Sequence, residues 1–530
     1  VPHPQYQQYH SGGRATKDGV SDFPSGNSHV KSFSRTLAGS QRRFAALAPA
    51  LLIAISSCKK DTTSPLVPVR MVFSVQPTNV LADSSIVPAI TVTLQDASGG
   101  TSTNAANGVT LGFANNAGGD GTFLSGSLTV AAIDGVATFP YLSVNTAATG
   151  YTLVATSTGL ADITSAAFDV ANETSGSFAT VSAGGSSSCG VTTTGAGFCW
   201  GNNNSGQLGN LTTTNSKTPF AVTGGLTFQS VGTGGLQFFT CGLTTAGAAW
   251  CWGYNDYGQL GTGTTANSTK PVAVTGTLAF TSLSVGAGGH TCGLIAGGAA
   301  YCWGYNNAGQ LGAATGAFSS SPVAVSGGLS FANLSAGESG ETCGVTTTAV
   351  AYCWGNNANG QFGNGSTTNS GVPTPVSGGL AFANVSTGFV SSCGVTTGGA
   401  AYCWGDNTYG ELGNGTTTSS TVPVAVSGGL TFSTVSVGYG FSCGLATSGA
   451  AYCWGYNGLG QLGNGTSTRS LAPVAVRGGI AFVSLSAGYG SSCALTAGGA
   501  MYCWGDNSSG QLGNNSTTIG LYPVLVVSPH

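Results

Sequence analysis

Charge is what this sequence has least of. Lys, Arg, Asp and Glu together make up 5% of its 530 residues, and the formal net charge is −3. So low a charge does not suit a nucleic-acid binder, which would need clustered Lys and Arg to grip phosphates. At 41% hydrophobic the chain is no disordered polyelectrolyte either. Long amphipathic helical patterns are missing after residue 60. Short β-prone runs between Gly-rich turns take their place, so the bulk reads as all-β.

The linear signatures of catalysis are missing too. There is no Ser-His-Asp spacing, no HExxH and no phosphate loop. Within residues 176–530 the acids are Asp256, Glu338, Glu341, Asp406, Glu411 and Asp506, and the histidines are His290 and His530. Asp406 and Asp506 share a repeat position with Tyr254, Tyr305 and Tyr456, which marks them as turn residues before a catalytic pair. The expectation is a non-enzyme with no cofactor and no metal. An enzyme that assembles acids from separate repeats would leave no linear motif, so that alternative stays open.

Cysteine, by contrast, is abundant and regular. Fourteen of 15 cysteines form seven C-x9-C pairs: Cys189/Cys199, Cys241/Cys251, Cys292/Cys302, Cys343/Cys353, Cys393/Cys403, Cys443/Cys453 and Cys493/Cys503. In "CGLATSGAAYCWG" the runs "CGLAT" and "AAYCW" read as strands joined by a turn at Ser448. Folding the hairpin there sets Cys443 opposite Cys453, within disulfide range. The spacers are too β-branched and Gly-rich for helical hairpins, and the spacing and missing histidines do not suit zinc. Seven disulfides, and an oxidising compartment, are the expectation.

Each second cysteine precedes Trp-Gly, and these tryptophans fall at Trp200, Trp252, Trp303, Trp354, Trp404, Trp454 and Trp504. Their spacing runs from 52 down to 50 residues, a sustained repeat. Four β-prone runs per unit suit one propeller blade, with each Trp in a blade core. The phrase "WGxNxxGQLG", as in "CWGYNNAGQLG" and "CWGDNSSGQLG", resembles the repeat of the regulator-of-chromosome-condensation family. That resemblance covers roughly residues 176–530 and implies a seven-bladed β-propeller. Kelch propellers share the period and the Gly doublets but lack the phrase. Propellers commonly close by pairing strands from both chain ends. Pro523–Val527 is therefore expected to complete a blade with strands of the first repeat.

Nucleotide exchange, the family's namesake activity, cannot be mapped onto residues here, whereas protein binding is common to the family. The loop before each first cysteine varies while its surroundings stay uniform. It presents Phe238, Phe239, His290, Glu338, Glu341, Phe389, Tyr439, Phe441 and Tyr489. Aromatics with a few polar groups suit a protein-binding face. The same loops could instead have drifted without constraint, their rings filling the channel, and His290 reads as a structural hydrogen-bonder.

Upstream, residues 1–29 are polar and patternless. Residues 30–58 read as an export signal: Lys31, Arg35, Arg42 and Arg43, then "FAALAPALLIAIS", then "ISSC". The ending resembles the lipobox of bacterial lipoproteins, which implies lipid on Cys58, the one cysteine without a repeat partner. No Met precedes Met71, so the signal starts either at a Val such as Val30 or with an incorrectly placed chain start. Residues 59–68 read as a tether. Residues 69–172 alternate in short strands, as in "AITVTLQDASGG". With "DGVATFPYLSV" and "GYTLVATS", that segment resembles the bacterial immunoglobulin-like domains of surface adhesins. The resemblance implies an N-terminal immunoglobulin-like β-sandwich, a spacer or adhesive module. Asp96, Asp120 and Asp134 read there as turn residues, not calcium ligands.

The functional expectation is an exported lipoprotein, anchored at the envelope by lipid only, whose propeller binds an extracellular or periplasmic protein. A carbohydrate-binding or polysaccharide-active propeller and a structural or adhesive surface component are the alternatives.

Overall fold

A computed structural model describes residues 67–81, 86, 88–140, 142–171, 177–235 and 238–528. The segment read as an export signal, Cys58 and most of the segment read as a tether lie outside the described residues. Described residues contain no α-helix, and none of their elements is a helix long and apolar enough to cross a membrane.

Between Arg70 and Ala171 two main sheets form. One joins Arg70–Val75, Ile90–Gln95 and Val136–Phe139; the other runs Val80–Leu81, Phe168–Ala171, Ala148–Thr156, Gly108–Asn115 and Thr129–Ala131. Alternation places Val92 and Leu94 of the first with Leu111, Tyr151, Leu153 and Phe168 of the second in one core. Asp96 closes a turn, its Oδ1 accepting from the Ser98 and Gly100 backbone amides at 2.8 and 3.0 Å.

From Phe178 onward the described residues form seven four-stranded antiparallel sheets, each built from four consecutive strands. In the sixth these are Phe432–Val437, Phe441–Ala446, Ala451–Gly455 and Ser470–Ala475. Its second and third strands pair with Cys443 directly opposite Cys453. The other six hairpins hold the same register, and each expected pair is bridged. The disulfides are Cys189–Cys199, Cys241–Cys251, Cys292–Cys302, Cys343–Cys353, Cys393–Cys403, Cys443–Cys453 and Cys493–Cys503, with Cα atoms 4.0–4.1 Å apart.

The tryptophans are fully buried, but between blades and not within one. Trp454 packs on Cys393, Val395 and Leu412 of the preceding blade and on Phe432 of its own, in a core that the two blades share. Its Nε1–H donates to the Glu411 carbonyl at 2.8 Å. The same bond recurs from Trp252 to Gln207, Trp303 to Gln259, Trp354 to Gln310, Trp404 to Gln361 and Trp504 to Gln461. A Cβ on Gly413, the last glycine of "GELG", would lie 2.7 Å from the Trp454 ring, at a residue whose φ is +66°. Glycine lets the backbone turn there and the indole lie on it. The motif asparagine organises the loop that follows. Asn457 Nδ2 donates to the Thr466 and Thr468 carbonyls at 2.9 and 3.0 Å, while Oδ1 accepts from Leu462 N–H.

Closure differs from the expectation. Gly520–Leu525 pairs with Met501–Gly505 of its own repeat, and no strand of the first repeat joins that sheet. The repeat phase begins at Phe178, so each repeat already supplies a whole blade and no strand is left to exchange. The last blade instead meets the first as every other pair meets. Trp200 Nε1–H donates to the Gln511 carbonyl at 2.9 Å. Phe178 and Trp200 share a core with Leu495, Met501, Leu512 and Val526.

Candidate functional site

The first strands line the axis. At one position on them stand Ser182, Ser284, Ser335, Ser386, Ser436 and Ser486, and each hydroxyl accepts an N–H of the following blade at 2.9–3.2 Å. The seventh place is Gly232, where a Cβ would meet Val285 Cγ2 at 2.9 Å. The serine ring is thus interrupted once, between the second and third blades. Around it lies a polar channel of about 180 Å³, lined also by Thr233, Ala287 and Glu338.

The cysteines take no part in this site. Cys189, Cys241, Cys292, Cys343, Cys393, Cys443 and Cys493 sit on the second strands, and none borders the channel. Their partners Cys199, Cys251, Cys302, Cys353, Cys403, Cys453 and Cys503 sit on the third strands, one step farther from the axis, and are 0% exposed. Buried and bridged, they brace hairpins and offer no thiol to a ligand or a metal.

At one end of this channel, each first strand turns into the second. Successive blades place Gly185, Gly235, Ala287, Glu338, Phe389, Tyr439 and Tyr489 at one equivalent loop position. The loops interlock: Glu338 N–H donates to the Gly388 carbonyl at 2.8 Å, and Tyr489 N–H to the Gly184 carbonyl at 3.1 Å. The loops of the first three blades are close-packed, and a Cβ on Gly185 would lie 2.5 Å from the Gly235 carbonyl oxygen. The last three are aromatic. Phe389 and Tyr439 have ring centroids 4.7 Å apart, and Tyr439 stacks on Tyr489 at 4.3 Å. Between the two sectors stands Glu338. This end of the propeller is therefore asymmetric on a nearly seven-fold scaffold.

Four residues expected on this face are buried and do not belong to it. Phe239, His290, Glu341 and Phe441 are each 0% exposed. All four open a second strand, and second strands are buried along nearly their whole length between neighbouring blades. His290 Nε2 pairs with Thr342 Oγ1 of the next blade at 2.9 Å, and burial lowers its pKa to about 4. Glu341 Oε2 accepts from Ser339 Oγ at 2.7 Å; burial, with Glu338 nearby, raises its pKa to about 8. Phe238 is half-buried in a left-handed conformation, φ +47°.

Glu338 is half-buried at the channel, and its Oε2 has no hydrogen-bond partner. Burial alone raises its carboxyl pKa to about 8. The phenol of Tyr439 is raised mainly by burial, with Glu338, Tyr409 and Tyr456 contributing from nearby.

Tyr409 and Tyr456 enlarge the aromatic sector, their rings 5.1 Å apart. They come from the "WGxNxxG" loops, which share this end of the propeller: Tyr456 N–H donates to the Gly440 carbonyl at 2.8 Å. The sequence reading noted Tyr456 only at the turn position it shares with Asp406 and Asp506, and did not single out Tyr409. The signal was available, since aromatic residues enter these loops in adjacent repeats. A second pair, Tyr257 and Tyr305, lies 4.8 Å apart on the second and third blades. Asp406 and Asp506 each bond their own turn, to Thr408 and Ser508, and do not meet as a pair. Among the described residues no group of three or more His, Cys, Asp or Glu is placed to hold a metal.

Fold and site together define a disulfide-closed, seven-bladed β-propeller with one differentiated loop face. Two family models, both described as the regulator of chromosome condensation (RCC1) repeat, match it. One covers residues 178–207, 230–259, 382–411, 432–461 and 482–511; the other 246–295, 350–393, 398–445, 448–495 and 498–530. Together they span more than half of the chain, which belongs to the RCC1-repeat family.

Among curated proteins, the human probable E3 ubiquitin-protein ligase HERC4 is 31% identical over 187 residues, 34% of this chain and 18% of that protein. The ultraviolet-B receptor UVR8 of Arabidopsis thaliana is 32% identical over 198 residues, 36% of this chain and 44% of that protein. The chain thus spans less than half the length of these relatives. Among solved structures, human WBSCR16 aligns with a TM-score of 0.56 at 22% identity, covering 62% of this chain and 94% of that one. Prp20p of Saccharomyces cerevisiae aligns with a TM-score of 0.54 at 18% identity, covering 64% and 87%. At these identities the structural likeness speaks for the fold alone.

Proposed function

We propose that this protein is a non-enzymatic binding protein whose propeller engages another protein through the loop face that carries Phe389, Tyr439 and Tyr489. The observation that carries the reading is the asymmetry of that face. Blades alike in tryptophan, asparagine, glycine and disulfide differ at the one loop position that rings the axis. Three adjacent aromatic rings, two further tyrosines and a carboxylate make a surface of the kind that protein hot spots favour. The bridged hairpins fit an exported chain, and "ISSC" fits lipid attachment at Cys58 as its anchor at the envelope. On this reading the two-sheet unit of residues 69–172 is an immunoglobulin-like spacer.

The test is capture from secreted and envelope protein by the intact chain. The triple variant Phe389→Ala/Tyr439→Ala/Tyr489→Ala loses the captured partner. Val422→Ala, on an exposed outer strand, retains it. Capture unaffected by the triple variant refutes the assignment of the face. Retention of glycans but no protein replaces it with carbohydrate binding, the reading that stacked tyrosines also support.

A further inference from the structure

The ring of loop residues has a chemical bias beyond being aromatic. Glu338 is its one carboxylic acid, and it stands at the channel next in order to Phe389, Tyr439 and Tyr489. The chain supplies little to neutralise it. Residues 177–530 contain only Lys217, Lys270, Arg469 and Arg477 as fixed cations, and none of them acts on Glu338. One carboxylate oxygen is left without a partner. A carboxyl desolvated without a counter-ion is costly to ionise, and a cation arriving from outside removes that cost. Aromatic faces add to the same preference, because the ring quadrupole attracts an ammonium group.

We propose that this end of the channel is a receptor for a single ammonium group, the side chain of a lysine presented by the partner protein, with Glu338 as counter-ion and the Phe389–Tyr439–Tyr489 stack as its wall. This rests on the loop-face reading above and names the chemistry that the face selects. The close-packed loops of Gly185 and Gly235 leave the opposite sector without side chains, so the lysine reaches Glu338 along the aromatic side. Channel hydroxyls complete the site. Each ring serine already accepts a backbone N–H, and the oxygen's other lone pair can accept from the ammonium group or from water it carries.

The intact protein is titrated with the acetylated, amidated tripeptide Gly-Lys-Gly and with the same peptide carrying norleucine for lysine, binding being read from the peptide's NMR resonances. The lysine peptide binds, and the norleucine peptide binds at least about tenfold more weakly. Glu338→Gln, which keeps size and hydrogen-bonding capacity, weakens the lysine peptide about tenfold and removes the preference. Tyr439→Leu weakens it severalfold with Glu338 in place. Variant unfolding midpoints at wild-type values show that the fold is kept; where Tyr439→Leu misfolds, Glu338→Gln and the norleucine peptide decide. Equal binding of the two peptides, an unchanged affinity in Glu338→Gln, or no binding of the lysine peptide at about 10 mM overturns the proposal. Protein capture that survives Glu338→Gln but is lost in the triple aromatic variant leaves the binding face standing and removes only its cation selectivity.

Discussion

Replacing Glu341 by Gln should make the propeller more stable in alkaline solution, although the residue is wholly buried. In the folded protein burial raises this carboxyl from its ordinary 4.5 to about 8. The unfolded chain releases the proton near the ordinary value, so between these limits the folded state binds more protons. Stability therefore falls as pH rises through that window and is level above about 8. Each pH unit within it costs about 1.4 kcal/mol for one carboxyl. From pH 5 to pH 8 the loss through Glu341 is about 3–4 kcal/mol, and Glu338, raised to a similar value, adds its own. A glutamine carries no proton to lose and still accepts from Ser339 Oγ, which Glu341 does at 2.7 Å. Urea unfolding at pH 5, 6.5 and 8 should show a decline for the wild type and a clearly shallower one for Glu341→Gln. In that variant Glu338 and Glu411, the latter raised by burial to about 7, still release protons, while His290, lowered to about 4, opposes them in both proteins. The two proteins should be nearly equal at pH 5, with the variant ahead by a few kcal/mol at pH 8. A variant less stable at pH 8, or one that keeps the wild-type slope, refutes the claim that the folded protein holds this carboxyl protonated.

Three further expectations follow from the blade architecture. Removing one bridge with Cys443→Ala/Cys453→Ala should cost about 2–3 kcal/mol, read by non-reducing denaturation; a cost near zero denies the hairpin cross-link its role. Gly463→Ala should cost at least about 2 kcal/mol, since its φ is +62° and a Cβ would lie 2.8 Å from the Trp504 ring; a neutral result contradicts the indole-on-backbone contact. Trp200→Phe and Trp404→Phe should destabilise equally, each losing one N–H donor worth about 1 kcal/mol and part of a ring. A much larger or smaller loss for Trp200 would mean that the joint between the last and first blades differs from the others.

Most of the scaffold could be read before any coordinates because each motif residue has one physical task. Period, tryptophan and Gly-rich phrase imply a repeated blade, and the turn at Ser448 implies Cys443 opposite Cys453, as the register shows. What failed was context between blades. The tryptophans looked like blade-core residues, yet their indoles bridge to the preceding blade, a contact that no single repeat contains. Closure by strand exchange was a habit of propellers in general, and the repeat phase at Phe178 leaves nothing to exchange. The face was half legible. Counting loop residues up to the cysteine swept in Phe239, His290, Glu341 and Phe441, which stand two residues before it. In a strand, residues two apart share a side, so these four follow their cysteines into the packing between blades. Residues farther back, Glu338, Phe389, Tyr439 and Tyr489, remain in the loop. Tyr409 and Tyr456 went unnoticed for a different reason, since they lie at different positions of their loops and meet only when the two neighbouring blades pack together.

The central claim is a ring of disulfide-closed blades with one differentiated loop face, in a protein that we propose is exported and held at an envelope. Non-reducing peptide mapping of the protein isolated from membranes tests it most directly. The account predicts seven bridges, each within one C-x9-C pair, and a lipid-modified Cys58. Free thiols at the paired positions together with an unmodified Cys58 would contradict it, and would return the search for a partner to the inside of the cell.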